Sequence, residues 1–426
     1  MSMGLIIMLL SLVMVFVLRI PIALGMISSS VVYFVYTGQN VGLVASKILD
    51  VFYSNYTIMA VPLFIFTAKI MNTGKITDII FKFANGLVGK YRGGTGHVNI
   101  IASIIFSGMT GSAIADASGL GLMEIEAMKK DGYDESFSCA LTAASATIGP
   151  IFPPSIPLVV YAMLSGASIG ALFMGGMLPG LMIGIFLMWY VSYISKKRNY
   201  PHGERLSRRE FMKFTVKALP ALVTPVILLG GIYTGVVTPT EAGSLAALYS
   251  LIISVVVYRV LGIKDFIKLL IETAKSTAIV GIIVGAAATF SYIVSVEQIP
   301  QALSGLILGV TDNKYIFLMI INVLFLILGM FIDTSVITLV FIPIILPIVT
   351  TLGIDLVHFG VMITLNMMIG LSTPPFGMLL FITAGVAKAP LKGVIDEAIP
   401  MIGVMLLVLL AVTFIPGIVL WLPGIL

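Results

Sequence analysis

Long apolar runs broken by short polar stretches dominate the chain, and their lengths are those of helices. Residues 4–18, 22–36, 170–194, 220–237, 244–258, 277–296 and 399–422 are nearly continuous Leu, Ile, Val, Met, Phe and Ala. A run of about 20 apolar residues crosses the hydrocarbon core as a helix. The strands of a membrane barrel alternate apolar and polar positions instead, and these runs do not. The pattern predicts an all-α polytopic membrane protein. Residues 43–54, with Lys47 and Asp50 among Leu, Val and Phe, predict a short helix along the interface. Met59 to Ile70 begins a further span.

Two segments depart from simple spans. Residues 97–127 enclose Ser107-Gly-Met-Thr-Gly-Ser-Ala-Ile-Ala-Asp116, a polar, glycine-rich tip between apolar arms too short to cross, which is the pattern of a re-entrant helical hairpin. Residues 136–165 would form one long span, but Pro150, Pro153, Pro154 and Pro157 remove backbone donors within it, so a discontinuous helix is predicted. The same two features return as a hairpin over 315–349 and a broken helix over 360–386. Gly108-Met109 recurs as Gly329-Met330, Ser112 falls on Asp333, and Gly149-x-x-x-Pro153-Pro154 recurs as Gly370-x-x-x-Pro374-Pro375, each at an offset of 221 residues. Lys47 falls on Lys268 at that offset, marking 263–275 as a second interfacial helix.

One offset kept by separate motifs implies an internal duplication, the trace left by transporters built from structural repeats. The resulting division is 1–58 and 220–276 as two scaffold parts, 59–195 and 277–426 as two transport parts that include the final span, and 196–219 as a charged linker.

Composition narrows the class. Hydrophobic residues are 59% and charged residues 10% of 426, against about a quarter charged in soluble domains. The net charge of +5 matters through its distribution. No Lys or Arg precedes the first run, which argues against a basic signal peptide and for an N-terminus outside. Five crossings then separate the repeats, so the second is inverted. On that topology 22 of the 24 Lys and Arg are cytoplasmic, with Lys47 and Lys314 outside, as the positive-inside rule requires. The Arg19-Ile-Pro21 turn is cytoplasmic and the C-terminus is outside. The single cysteine, Cys139, excludes an intrachain disulfide or Cys-ligated metal site.

The breaks carry the candidate chemistry. A helix that stops in the membrane leaves carbonyls open at one end and N–H groups at the other; the first suit a hard cation and the second an anion. Hydroxyls of Ser107, Thr110, Ser112, Thr334, Ser372 and Thr373, backbone oxygens around Gly108, Gly149, Pro153, Gly329 and Gly370, and a carboxylate from Asp116 or Asp333 form oxygen-only shells of the kind Na⁺ accepts. Two related cation sites result. An organic anion between them would meet Ser112, Ser155, Ser335 and Thr373. Plainer roles exist for the same groups: Ser112 and Asp333 fit N-caps, Asp116 fits a dipole-stabilised carboxylate, and Glu241 after Thr238 fits a capping box.

Other signals are weak. Gly166-Ala-Ser168-Ile-Gly170 lies between spans rather than between strand and helix. His97, His202 and His358 are scattered, and no nucleophile and base share a neighbourhood, so the chain does not read as an enzyme. The sequence holds no phosphate-binding G-x-x-x-x-G-K-[ST] run, which points to an ion gradient as the driving force.

The runs Ser107 to Asp116, Gly149-Pro-Ile-Phe-Pro-Pro154-Ser, Thr238-Pro-Thr-Glu-Ala-Gly243, Gly329-Met-Phe-Ile-Asp333 and Ser372-Thr-Pro-Pro375 resemble the large membrane subunit, DctM type, of tripartite ATP-independent periplasmic (TRAP) transporters. The resemblance covers nearly the whole chain and is similar in general look to the sialic-acid branch, though dicarboxylate members share the motifs. Many members read Ser-Gly-Ser where Thr110-Gly111-Ser112 stands; threonine keeps the hydroxyl. The resemblance implies an elevator mechanism in the bacterial inner membrane, two or more transported Na⁺ ions at the two tips, and no organic cofactor. It implies a small DctQ-type membrane subunit, a periplasmic substrate-binding protein and surrounding lipids as partners, and no nucleic acid. The expected function is Na⁺-coupled uptake of an organic acid, sialic acid first and C4-dicarboxylates next. A passive channel or scaffold subunit is the alternative, and two occluding hairpins suit alternating access better.

Overall fold

The computed structural model describes residues 2–18, 20–203, 206–308 and 313–425; the expected turn at Arg19 and the linker's Arg205 lie outside them. Among the described residues the chain is helical, and the sole β pairing is an isolated bridge between Arg92 and His202. Seven helices there are long and apolar enough to cross a membrane, or eight if the pair Gly42–Ser54 and Tyr56–Met71, bent by 75°, forms one span. This is a multi-pass membrane protein.

Helix boundaries in the two halves keep the offset seen in the motifs. Gly94–Thr110 moved by 221 covers 315–331, and a helix runs over Lys314–Phe331. Glu135–Ala146 falls within Leu356–Leu371, and Ile156–Ser165 falls on Met378–Ala387. Each hairpin folds back on itself. In the first, Thr95 Oγ1 donates to Asp131 and Asn99 reaches Met128 Sδ at 3.9 Å, so Gly94–Thr110 runs antiparallel to Ala113–Ser118 and Leu120–Lys130. In the second, the rings of Phe325 and Phe341 meet edge to face at 6.1 Å across Lys314–Phe331 and Thr334–Thr351.

Both proline-rich breaks are present. Helix is lost over 147–155 and over 372–377, and the Pro153–Pro154 and Pro374–Pro375 peptide bonds are cis.

Several boundaries differ from the sequence expectation. Residues 263–275 and 277–296 form one helix of 34 residues, Ile263–Val296. Their counterpart breaks at Asn55, whose φ and ψ of −124° and 83° leave the helical region, whereas Lys275-Ser276-Thr277 carries no comparable breaker. The linker is helical from Arg208, where Ser207 and Glu210 form a capping box that starts a helix running to Tyr233. The last long helix starts at Leu391, after Pro390. A helix over Ile299–Leu308 was not foreseen; it follows Ile263–Val296 much as Gly74–Val88 follows Ala60–Met71. The second hairpin's arms have 18 residues each, about 27 Å of helix, which is long enough to cross by length alone.

The largest apolar core joins the broken helices, the second hairpin and Leu391–Phe414. A second core sets Met3–Val17 and Ile22–Tyr36 against Ile263–Val296 and Thr334–Thr351. Ala60–Met71 packs on Pro239–Ile252 and Ile263–Val296 as well as on Gly94–Thr110, and this places both hairpin tips beside the same helices.

Candidate functional site

Gly94–Thr110 stops because Gly111 turns left-handed, with φ of +61°. A Cβ there would also meet the Pro154 carbonyl at 2.3 Å, so glycine serves both the turn and the contact with the first break. Ser112 then caps the next helix, its Oγ accepting from Ala115 N at 3.4 Å. Thr110 Oγ1 donates to Asp116 Oδ1 at 2.6 Å. Asp116 is 3% exposed, and its Oδ2 has no hydrogen-bond partner among the described residues. Gly149 faces that oxygen: a Cβ on it would lie 2.6 Å from Oδ2 and 3.5 Å from the Ser112 carbonyl carbon.

The first tip and first break therefore assemble Thr110, Ser112, Asp116 and Gly149 as expected. Ser107 is turned into its own helix, donating to Ile104 O at 2.5 Å. A Cβ on Gly108 would lie 3.1 Å from Pro225 and 4.0 Å from the Pro153 carbonyl oxygen. Ser155 caps the second half of the broken helix, accepting from Leu158 N at 3.2 Å and donating to the Pro150 carbonyl.

At the second tip, Asp333 Oδ1 accepts from Ser335 N at 2.9 Å, and Thr334 opens the helix. Gly329 and Gly370 back onto each other; a Cβ on Gly370 would meet Gly329 Cα at 2.9 Å. Ser372 and Thr373 both donate to Ile369 O, at 2.9 and 2.6 Å. A donating hydroxyl keeps its oxygen lone pairs, so these groups retain acceptor capacity at the helix end.

The two tips meet in a cavity of about 430 Å³. Thr110 and Ser112 line it from the first tip and Asp333, Thr334 and Ser335 from the second, with Pro150 and Pro157 below. Lys69 of Ala60–Met71, Asn72 just past that helix's end and Ser276 of Ile263–Val296 also line it. Ser155 and Thr373, expected beside Ser112 and Ser335, do not line it. Gly329 borders a smaller apolar cavity of about 290 Å³ with Phe331 and Phe376.

Polar groups away from the glycine- and proline-rich motifs support both halves. Asn99 Nδ2 donates to Thr142 Oγ1 at 2.7 Å and its Oδ1 accepts from Ser145 at 2.7 Å; Ser145 in turn meets Ser103 at 3.1 Å. Asn366 Nδ2 donates to the Asn322 carbonyl and side chain at 2.8 and 2.9 Å, and Asn322 donates to Thr413 at 2.9 Å. Glu124 is 1% exposed, with Oε1 unpartnered among the described residues. Their signal was available: a polar side chain inside an apolar run is costly, so it needs a partner or a task.

The family model for the tripartite ATP-independent periplasmic transporter, DctM component, matches residues 7–418. The chain is 45% identical over 369 residues to the sialic acid TRAP transporter large permease protein SiaM of Vibrio cholerae, covering 87% of this chain and 86% of that one. It is 39% identical over 407 residues to the sialic acid TRAP transporter permease protein SiaT of Haemophilus influenzae, covering 96% of this chain and 66% of the relative. To the C4-dicarboxylate TRAP transporter large permease protein DctM of Pseudomonas aeruginosa it is 35% identical over 398 residues, covering 93% of each. Relatives of this kind are transporter permease subunits, not enzymes. With the family model spanning nearly its full length, the chain belongs to the DctM component family of TRAP transporters.

Proposed function

We propose that the chain couples inward Na⁺ movement to uptake of an organic anion across the bacterial inner membrane, with N-acetylneuraminate favoured and a C4-dicarboxylate next. The observation that carries this reading is the cavity shared by both hairpin tips and by the helices Ala60–Met71 and Ile263–Val296. It is large enough for a small organic acid, and its polar lining joins the hydroxyls of Thr110, Ser112, Thr334 and Ser335 with Lys69, Asn72 and Asp333. Beside it, Asp116 Oδ2 and the backbone around Gly149 offer oxygen ligands to one Na⁺. A second Na⁺ takes Asp333, Thr334 and the helix end at Gly370, Ser372 and Thr373. Ser112 and Ser335 face the anion.

Binding of both charges at one place supports alternating access, because the negative Asp116 and Asp333 favour entry of the anion only once cations neutralise them. In an elevator cycle the hairpins and broken helices move against the remaining helices, with both chain ends periplasmic. The small membrane subunit would brace those static helices, and a periplasmic binding protein would deliver the substrate. The sialic acid assignment rests on the names of the relatives at 45% and 39% identity.

Proteoliposomes containing the chain with its small subunit, supplied with loaded binding protein, test the coupling. Uptake of labelled N-acetylneuraminate or succinate is expected only when Na⁺ is outside. Uptake that continues unchanged with K⁺ on both sides would remove the coupling.

A further inference from the structure

The wall of the cavity opposite the tips holds a charge that the Na⁺ reading does not use. Lys69 lies in the last turn of Ala60–Met71 and Asn72 follows that helix's end; Ser276 and Val280 line the cavity from Ile263–Val296, four residues apart on one face. Lys69 is the sole basic side chain among the described residues lining the cavity, and Asp333 the sole carboxylate. The Lys69 ammonium lies 3.8 Å from Glu272 Oε2, one turn before Ser276, with side-chain exposures of 29% and 47%. That separation is too long for a hydrogen bond, so the pair is a loose one and exchangeable for a closer anion.

A charge retained on the wall of a membrane cavity marks a substrate path more often than a structural tie. An ammonium is a compact point charge with three donors on a flexible stem, able to follow a moving carboxylate. We infer that Lys69 is the anion contact on the cavity wall formed by Ala60–Met71 and Ile263–Val296: it leaves Glu272 and pairs with the carboxylate of the substrate held against Ser112 and Ser335. Glu272 is its competitor, recapturing the ammonium when the anion departs. The inference rests on the organic-anion reading above and adds a specificity contact from outside the hairpin tips.

The two partners make the test directional. If the pair were only structural, Lys69→Gln and Glu272→Gln would both weaken it and move binding the same way. If Lys69 receives the substrate, they move it in opposite directions. The full chain in lipid nanodiscs with Na⁺ present is titrated with N-acetylneuraminate and with succinate. Lys69→Gln is expected to weaken binding of the anion that the native chain takes by about tenfold or more, the scale of a lost charge-assisted hydrogen bond. Lys69→Arg retains most of the affinity, and Glu272→Gln tightens it a few-fold.

Equal affinity in Lys69→Gln and the native chain, or weakening in both neutral variants, overturns the inference and leaves the organic-anion reading standing. A native chain that binds neither acid, with Na⁺ or with K⁺, overturns that reading and this inference together. Unfolding of a variant is separated from loss of the contact by its Tm in the same nanodiscs.

Discussion

Thr110 donates to one oxygen of Asp116 at 2.6 Å and leaves the other, buried, facing the bare backbone of Gly149. A buried carboxylate oxygen without a partner is costly, and under the proposed function a cation at that point would satisfy it. Asp116→Asn keeps the size and the capacity to pair with Thr110 but removes the charge. Its apparent affinity for Na⁺ in uptake should fall by about tenfold or more while the protein still folds. A sodium titration of uptake measures this, and an unchanged titration would remove Asp116 from the site.

Gly149→Ala tests the same space from the other side. The added Cβ would sit 2.6 Å from Asp116 Oδ2, closer than real Cβ atoms come, and 3.3 Å from the Ala146 carbonyl oxygen, so a neighbour must shift. Overpacking of this kind costs about 1–3 kcal/mol. Sodium-dependent uptake should be lost together with a fall in Tm, and thermal unfolding with and without Na⁺ should show the stabilisation by Na⁺ diminished. Native levels of both would contradict the contact.

Gly370→Ala should separate the second hairpin from its broken helix, because the Cβ would meet Gly329 Cα at 2.9 Å. A loss of about 1–3 kcal/mol is expected. Gly385→Ala is the control: it lies in Met378–Ala387 with nothing within 4 Å of its Cβ position, and Ala improves a helix interior by up to about 1 kcal/mol. Denaturation of the two variants in detergent should move in opposite directions.

The capping box at Ser207 and Glu210 predicts that the helix through the former linker is pinned at its start. Ser207→Ala should cost about 0.5–2 kcal/mol locally, read as faster amide exchange over Arg208 to Lys213 with transport unchanged. Exchange at the native rate would place the helix start elsewhere.

The sequence made much of this legible because two different signals agreed. Periodicity marked the spans, and a constant offset marked the tips and breaks, so Gly149 and Gly370 stood out before their contacts were known. What stayed hidden depends on contact across the fold. Nothing in Lys69 or Glu272 alone tells that they pair beside the cavity that Lys69 lines, since they are separated by 203 positions (69 to 272) and come together only through helix packing. Glu124, Asn99 and Asn366 are visible as polar residues in apolar runs, but they lie outside the glycine- and proline-rich motifs that mark the tips and breaks. Helix starts failed where a local cap decided them, as at Ser207. The second interfacial helix failed because a matched offset carries residues across the halves but not the bend, which Asn55 supplies in the first half alone.

The central claim is that an ion enters with the anion by way of the first tip. Radioactive sodium and labelled N-acetylneuraminate, followed together into proteoliposomes, measure it most directly in the native chain and in Asp116→Asn. Both fluxes should rise together in the native chain, each falling to background when the other species is omitted, and the variant should carry at most about a tenth of the sodium. Anion uptake without sodium entry, or an undiminished sodium flux in the variant, would contradict it.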